Sequence, residues 1–253
     1  MGTKHSREST SGPGRHLSPK ALSSLLEHGR VTSCDLLPRG SNYVFVAQVL
    51  GENGDSCRAI YKPRDGENPL WDFPSGSLCL RERAAYVLAQ ALGWRLVPLT
   101  IVRGGPHGVG SMQAFVDHDP RRHYFTLRDE HPLEFQRMFV FDWLANNADR
   151  KASHCLLSND GAVWGIDHGL TFHAAPKLRT VIWDFAGLPI PAPILADAER
   201  FVPKLDALDG PLAELRTLLR NDELAALKQR LEAILTRRRF LDVHEGGVPW
   251  PWL

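Results

Sequence analysis

Two runs rich in β-branched and aromatic residues, NYVFVAQVL (Asn42–Leu50) and CRAIYKP (Cys57–Pro63), flank GENGDS (Gly51–Ser56). The flanking composition is that of strands and the middle is turn chemistry, so the chain must contain an antiparallel pair there. After a loop rich in Pro, Gly and Asp (Arg64 to Ser77), the period changes. In LCLRERAAYVLAQALGW (Leu78–Trp94), Leu80, Ala84, Val87, Leu88, Ala91 and Leu92 recur at three- and four-residue steps, and Gly93 stands where a C-terminal cap would. VPLTIVRG (Val97–Gly104) and GSMQAFVD (Gly110–Asp117) read as further strands. The first half is a sheet with one long inserted helix.

The second half turns helical. LEFQRMFVFDWLANN (Leu133–Asn147) is apolar on nearly every face, as a buried helix would be. The loop ADRKASH precedes CLLS (Cys155–Ser158), a turn at Asn159–Gly161, and AVWGID (Ala162–Asp167), giving a helix, a loop and a hairpin. Two helices are expected toward the end, Leu195–Arg220 with interruptions at Pro203 and Gly210, and Asp222–Arg238. The tail GGVPWPWL is expected to pack on the body. At the other end, Ser18-Pro19 opens a short helix through Leu22, Leu25 and Leu26, ended by Gly29. Residues 1–19 carry Ser, Gly, Pro and basic residues without apolar period and read as a disordered leader.

Composition narrows the function classes. Of 253 residues, Lys and Arg number 30 against 29 Asp and Glu, for a net charge of +1, so no long surface tracking nucleic acid is expected. Four cysteines (Cys34, Cys57, Cys79, Cys155) form no C-x-x-C pair, which argues against zinc knuckles and thioredoxin-type chemistry and for free thiols. No stretch reaches the roughly 18 apolar residues of a membrane span, and the N-terminal residues lack the apolar core of a secretory signal. A cytoplasmic protein is the expectation.

Certain charged residues sit where chemistry would need them. Lys62 ends a strand and is held rigidly, as a phosphate-binding ammonium must be. Glu82 lies early in the following helix, on a path toward Lys62. Taken alone, these are a solvated lysine and a helix N-terminal charge. Asp149 follows the buried helix and Asp167 ends the next strand. Carboxylates on loops at strand ends in one cleft suit two roles, one toward a hydroxyl proton and one toward a metal. RGSNY (Arg39–Tyr43) places Ser41 and Asn42 in a turn whose N–H groups would cradle phosphate oxygens. A metallohydrolase built from Asp149, His154, Asp167, His168 and His173 is the competing reading, but the spacing fits no helical zinc motif.

DRKASH with GIDHGLTF resembles the catalytic and metal loops of phosphatidylinositol 3- and 4-kinases, and more distantly of HipA-like kinases. In that family the first loop reads Asp-Arg-x-x-x-Asn and the second Asp-x-Gly. Asp149 with Arg150 and Asp167 with Gly169 match. AIYKP is similar to the strand with the nucleotide-contacting lysine, and LRERAAYVLAQALGWRLVPLT to the helix bearing its glutamate. GSMQAFVD resembles the hinge strand, whose backbone around Gln113, Ala114, Phe115 and Val116 would meet adenine. The resemblance covers about residues 35–185.

It implies an α+β, two-lobed atypical kinase fold, with an N-lobe over 20–117 and a mainly helical C-lobe over 118–253. It implies an ATP-dependent phosphotransferase using Mg2+ or Mn2+. Lys62 and Glu82 would serve the phosphates, Asp149 would orient the acceptor hydroxyl, Lys151 would contact a phosphate, and Asp167 would hold the metal. The acceptor hydroxyl belongs to a protein, a lipid or a metabolite. Where the family has Asn, this chain has His154, which would ligate the metal or hydrogen-bond Asp149 or Asp167. Two alternatives stay open: a nucleotide-binding pseudokinase, and transfer of AMP on the same fold.

Overall fold

The computed structural model of the chain describes residues 17–38 and 42–253. Helix α1 (Pro19–His28) begins at Ser18, whose hydroxyl accepts the Ala21 N–H, and leads into strand β1 (Arg30–Leu37). Then come β2 (Val44–Leu50), β3 (Ser56–Pro63), helix α2 (Leu78–Leu92), β4 (Thr100–Gly105) and β5 (Gly108–Ala114). All neighbours pair antiparallel, in the order β1-β2-β3-β5-β4. Leu25 and Leu26 of α1 pack with Ala47, Val49, Ala59, Tyr61, Ile101 and Met112 as a core on one face of this sheet.

Two local features place the strand and helix that matter most. Lys62 pairs with Ser111 in the β3–β5 ladder. At Gly110 a Cβ would stand 2.3 Å from the Lys62 carbonyl oxygen, so only glycine lets β5 run this close to β3. Gly93 ends α2 in the left-handed region (φ 75), its N–H returning to the Ala89 and Gln90 carbonyls.

The remainder is mostly helical: α3 (Tyr124–Leu127), α4 (Pro132–Ala145), the hairpin β6 (Cys155–Leu157) and β7 (Val163–Gly165), α5 (Ala192–Ala207), α6 (Leu215–Leu218) and α7 (Asn221–Arg237). Helix α4 is buried from Met138 to Ala145 and forms the middle of the second core with Phe172, Phe201, Leu227, Ile234 and Phe240. The expected elements are all present, with three departures. Strand β1 was not legible: RVTSCDLL is an edge strand, exposed along most of its length, and has no alternation to read. Pro203 does not interrupt α5, which runs through it. Pro203 lies on the exposed side of the helix, away from the buried face of Leu195, Ala198, Phe201 and Leu205. The leader expected over 1–19 falls outside the described residues up to residue 16, and Ser18 and Pro19 belong to α1.

The tail meets the body through its backbone and through Pro249, which is buried. The Gly247 carbonyl accepts from Thr180 N–H and the Trp183 indole, and the Trp252 carbonyl from Ala152 N–H, while Trp250, Trp252 and Leu253 stay exposed.

Candidate active site

Helix α4 ends at Asn146, in the left-handed region (φ 52), and Asn147 N–H closes back on the Asp142 carbonyl. The Asn147 side chain then accepts Asp149 N–H at 2.9 Å and donates to Asp142 Oδ1 at 2.9 Å. The chain is thereby turned so that Asp149 leaves the helix end toward the sheet. Arg150, wholly buried, forks onto Asp142 (Nε–Oδ2 2.9 Å) and reaches the Ile166 carbonyl (2.9 Å), the His154 carbonyl (3.2 Å) and His168 Nε2 (2.7 Å). One guanidinium thus ties the loop carrying Asp149 to the loop carrying Asp167.

Those loops face β3 and α2 across a cleft of about 210 Å³, lined by Asn42, Lys62, Glu82, Asp149, Lys151 and Asp167 among others. Lys62 Nζ donates to Asp167 Oδ1 at 2.8 Å and pairs with Glu82, whose other oxygen accepts His168 N–H at 3.1 Å. Lys151 Nζ lies 3.0 Å from Asp149 Oδ2. Loss of water pulls the Lys62 ammonium down, but Asp167 and Glu82 outweigh it and hold it well above the ordinary lysine range. The same exchange acts on Asp167: desolvation raises its carboxyl, and Lys62 and His154 bring it far below the usual carboxylate range. Asp149 goes the other way, raised by burial against the pull of Lys151.

His154 is buried beside Asp167 and is not among the residues that line the cleft. Its Nδ1 lies 3.0 Å from the Asp149 carbonyl oxygen, which can only accept, and 3.5 Å from the Lys151 N–H, which can only donate; the shorter contact assigns the hydrogen to Nδ1. Burial holds the ring at about 4, so it is neutral at pH 7 and Nε2 presents a lone pair. That nitrogen lies 3.3 Å from Asp167 Oδ2, also an acceptor. Two acceptors converging with no hydrogen between them fit a cation, and an imidazole with a carboxylate is a donor set for a divalent ion.

Other expected residues are placed elsewhere. Gln113, Ala114, Phe115 and Val116 do not line this cleft. The Gln113 amide donates to Thr100 Oγ1, and Ala114 and Phe115 N–H are bonded to the Leu99 and Arg58 carbonyls. Among the described residues, Val116 N–H has no partner. Ser41 lies outside the described residues, and Asn42 Oδ1 accepts Asn68 N–H at 2.8 Å. Of the three histidines in the metallohydrolase reading, His154 meets Asp167, but His168 packs on Phe141 under Arg150 and His173 packs edge-on against Phe73.

Three supporting residues were not singled out from the sequence. Asp142 had a signal, a carboxylate inside the apolar run FVFDWL. Glu67 caps α2 through Leu78 and Cys79 N–H (3.2 and 2.9 Å) and lines the cleft, with no local signal. Arg81 forms a buried pair with Glu223 of α7 and also donates to the Thr171 carbonyl.

A family model described as Phosphatidylinositol 3- and 4-kinase matches residues 100–209, which span β4, β5 and both loops. Protein Rv2133c of Mycobacterium tuberculosis is 37% identical over 265 residues, covering 90% of this chain and 93% of its own length. The chain belongs to the phosphatidylinositol 3- and 4-kinase-like atypical kinases. Solved structures agree in fold. The Golgi casein kinase with Mn and ADP bound aligns at TM-score 0.57 over 86% of this chain and 74% of its own, at 16% identity. Hydra Fam20 with sugar aligns at 0.57 over 86% and 88%, at 12% identity. The Helicobacter pylori proinflammatory kinase CtkA aligns at 0.51 over 82% and 93%, at 13% identity. This kinase-like chain therefore has the two-lobed atypical kinase fold. Among its described residues no helix is long and apolar enough to cross a membrane.

Proposed function

We propose that this protein is an ATP-dependent phosphotransferase acting on a hydroxyl acceptor, with its site between an N-lobe over 20–117 and a C-lobe over 118–253. The observation that carries the reading is the meeting of Lys62, Glu82, Asp149, Lys151 and Asp167 in one cleft from four separate stretches of chain. Phosphoryl transfer asks little more of a protein than positioning and charge neutralisation.

Lys62, fixed by Glu82, binds phosphate oxygens of the nucleotide. Val116 N–H, without a partner among the described residues, would meet the adenine edge. Asp167 and His154 hold the divalent ion, Mg2+ or Mn2+, which when bound neutralises charge on the phosphates. Asp149, with its raised carboxyl, orients the acceptor hydroxyl and takes its proton. Lys151, now on Asp149, swings to the transferred phosphate once nucleotide enters, freeing that carboxylate.

The test is a pair of variants assayed with ATP, Mg2+ or Mn2+, and candidate protein, lipid and metabolite acceptors. Asp149→Ala keeps nucleotide binding and loses transfer, whereas Asp167→Ala loses metal-dependent binding itself. Equal transfer by both variants and the parent would refute the assignments. The Asp149–Lys151 ion pair favours a second reading, a module that binds nucleotide without turnover. Nucleotide-induced thermal stabilisation with no modified product would mark that case. Product mass separates phosphoryl from adenylyl transfer.

A further inference from the structure

A second cavity, of about 550 Å³, lies on the helical side, between the segment that follows the metal loop, helix α7 and the stretch from Leu241 to Gly247. Its walls include Trp143, Leu178 and Leu241, and its charged lining residues are Lys177, Arg179, Arg230 and Glu245.

The charges are unbalanced. Glu245 is the one acid among the lining residues, and both of its oxygens are taken by Arg237 at 2.6 Å. Lys177 is answered by Asp72 at 2.8 Å. The two arginines are not answered. Among the described residues, the Arg179 guanidinium has neither an ion pair nor a hydrogen bond, and its side chain is exposed. Arg230 donates only to carbonyls, Nε to Leu144 at 2.8 Å and Nη1 to His173 at 3.4 Å, and its buried Nη2 has no acceptor. Glu223, the acid whose field reaches Arg230, is itself bound to Arg81. Burial holds Arg230 down at about 10, the mark of a cation short of a counter-charge.

Buried guanidinium groups are ordinarily paired, because an unpaired donor or charge away from water costs free energy. We infer that this cavity is a binding site for a small phosphate-bearing molecule with an apolar or aromatic body, its anion drawn to Arg179 and Arg230. The volume is that of a small-molecule site, apolar walls with a few charged groups are the usual make-up of one, and both arginines lie on this lining. Nη2 is sealed from solvent, so an anion meets it once the guanidinium turns toward the cavity, and Nη2 itself gives up no hydrogen bond in doing so. The phosphate suits guanidinium forks, and the indole of Trp143 with Leu178 and Leu241 suits the apolar body.

The site touches the loop that carries Asp149. Arg179 N–H donates to the Asn147 carbonyl at 2.9 Å, and the Arg179 carbonyl accepts Arg150 N–H at 3.0 Å. Arg230 holds the Leu144 carbonyl near the end of α4. Occupancy therefore bears on the loop through Arg179, from a cavity that shares no lining residue with the interlobe cleft.

The experiment uses the full chain without divalent ions, with Lys151→Ala as a control: binding that this substitution weakens as much as Arg179→Ala does would place the probes in the interlobe cleft and overturn the inference. Phenyl phosphate and inorganic phosphate are titrated by calorimetry. Saturable binding is expected for both, with phenyl phosphate about fivefold or more tighter from its ring contacts. Arg179→Ala weakens each probe by about tenfold or more, as loss of a charge-assisted bond should. Because that side chain has no partner to lose, the melting temperature stays put. Arg230→Lys keeps the charge, removes Nη2 and weakens binding likewise. No saturable binding of either probe, or binding that survives both substitutions, overturns the inference. A failed transfer assay at the cleft leaves it standing.

Discussion

Lys62 Nζ donates to Asp167 Oδ1 at 2.8 Å, although 105 residues separate them, and the same ammonium pairs with Glu82 of α2. Glu82 is 2% exposed, and without Lys62 its charge would keep only the His168 N–H. Removing one partner of such a pair leaves a buried charge uncompensated. Lys62 is itself a fifth exposed, which softens the loss, so Lys62→Met is expected to cost about 2–4 kcal/mol in urea unfolding. Lys62→Arg should keep most of that. An unchanged midpoint for Lys62→Met would mean that water reaches Glu82.

His154 should leave a mark on acid stability. Its ring titrates at about 4 in the folded chain against 6.5 unfolded. Between those values the unfolded chain binds a proton that the folded one refuses, so stability falls as pH drops from 6.5 toward 4. The effect reaches at most about 3 kcal/mol. His154→Asn, which installs the residue of the family pattern, should flatten that part of the pH profile relative to the parent. The raised carboxyl of Asp149 contributes a slope of opposite sign to both proteins, so the difference between them isolates the imidazole. The same variant should shift preference from Mn2+ toward Mg2+ in metal-dependent nucleotide binding, since an amide oxygen is the harder ligand.

What could be read beforehand was what is locally encoded. The turn GENGDS, the period of α2 and the exit of α4 into Asp149 each carry their own chemistry within a few residues, and each folds as that chemistry dictates. The partners of Arg150 were not legible in the same way. Its contacts to Asp142, Ile166 and His168 come from a helix, a strand end and a loop, and only the odd carboxylate in FVFDWL hinted at one of them. Strand β1 failed for the opposite reason, because an edge strand exposed on both faces has no pattern to show. The resemblance pointed to Gln113 through Val116 as a unit, whereas the strand commits the first three to its own hydrogen bonds and leaves Val116.

The helix that carries Glu82 is anchored to the helical side by its neighbour. Arg81 and Glu223 are each 2% exposed and pair across 142 residues of sequence. Glu223→Ala strands the Arg81 guanidinium and should cost about 3–5 kcal/mol by denaturant unfolding. The double variant Arg81→Leu/Glu223→Leu should recover much of it, because apolar side chains of similar size need no counter-charge. A cycle over the four proteins measures the coupling. Near-additive losses would show that α2 is held by its other contacts, among them Arg83 with Glu214 at 2.8 Å.

Cys79 reports on the start of the same helix. Its thiol lines the cleft, is 1% exposed, and is pushed up to about 11 by burial and then by Glu67. At pH 8 about one molecule in a thousand would carry the thiolate, the only form that alkylates quickly. Iodoacetamide followed by peptide mass analysis should therefore label Cys79 far more slowly than the partly exposed Cys34. Glu67 both raises the thiol and caps the helix through Leu78 and Cys79 N–H. Glu67→Gln weakens both effects, lowering the thiol and loosening the first turn, and should speed labelling at Cys79 while leaving Cys34 unchanged. Labelling of Cys79 that is already fast in the parent would show a first turn that opens readily, and so a Glu82 less firmly held than the Lys62 pair implies.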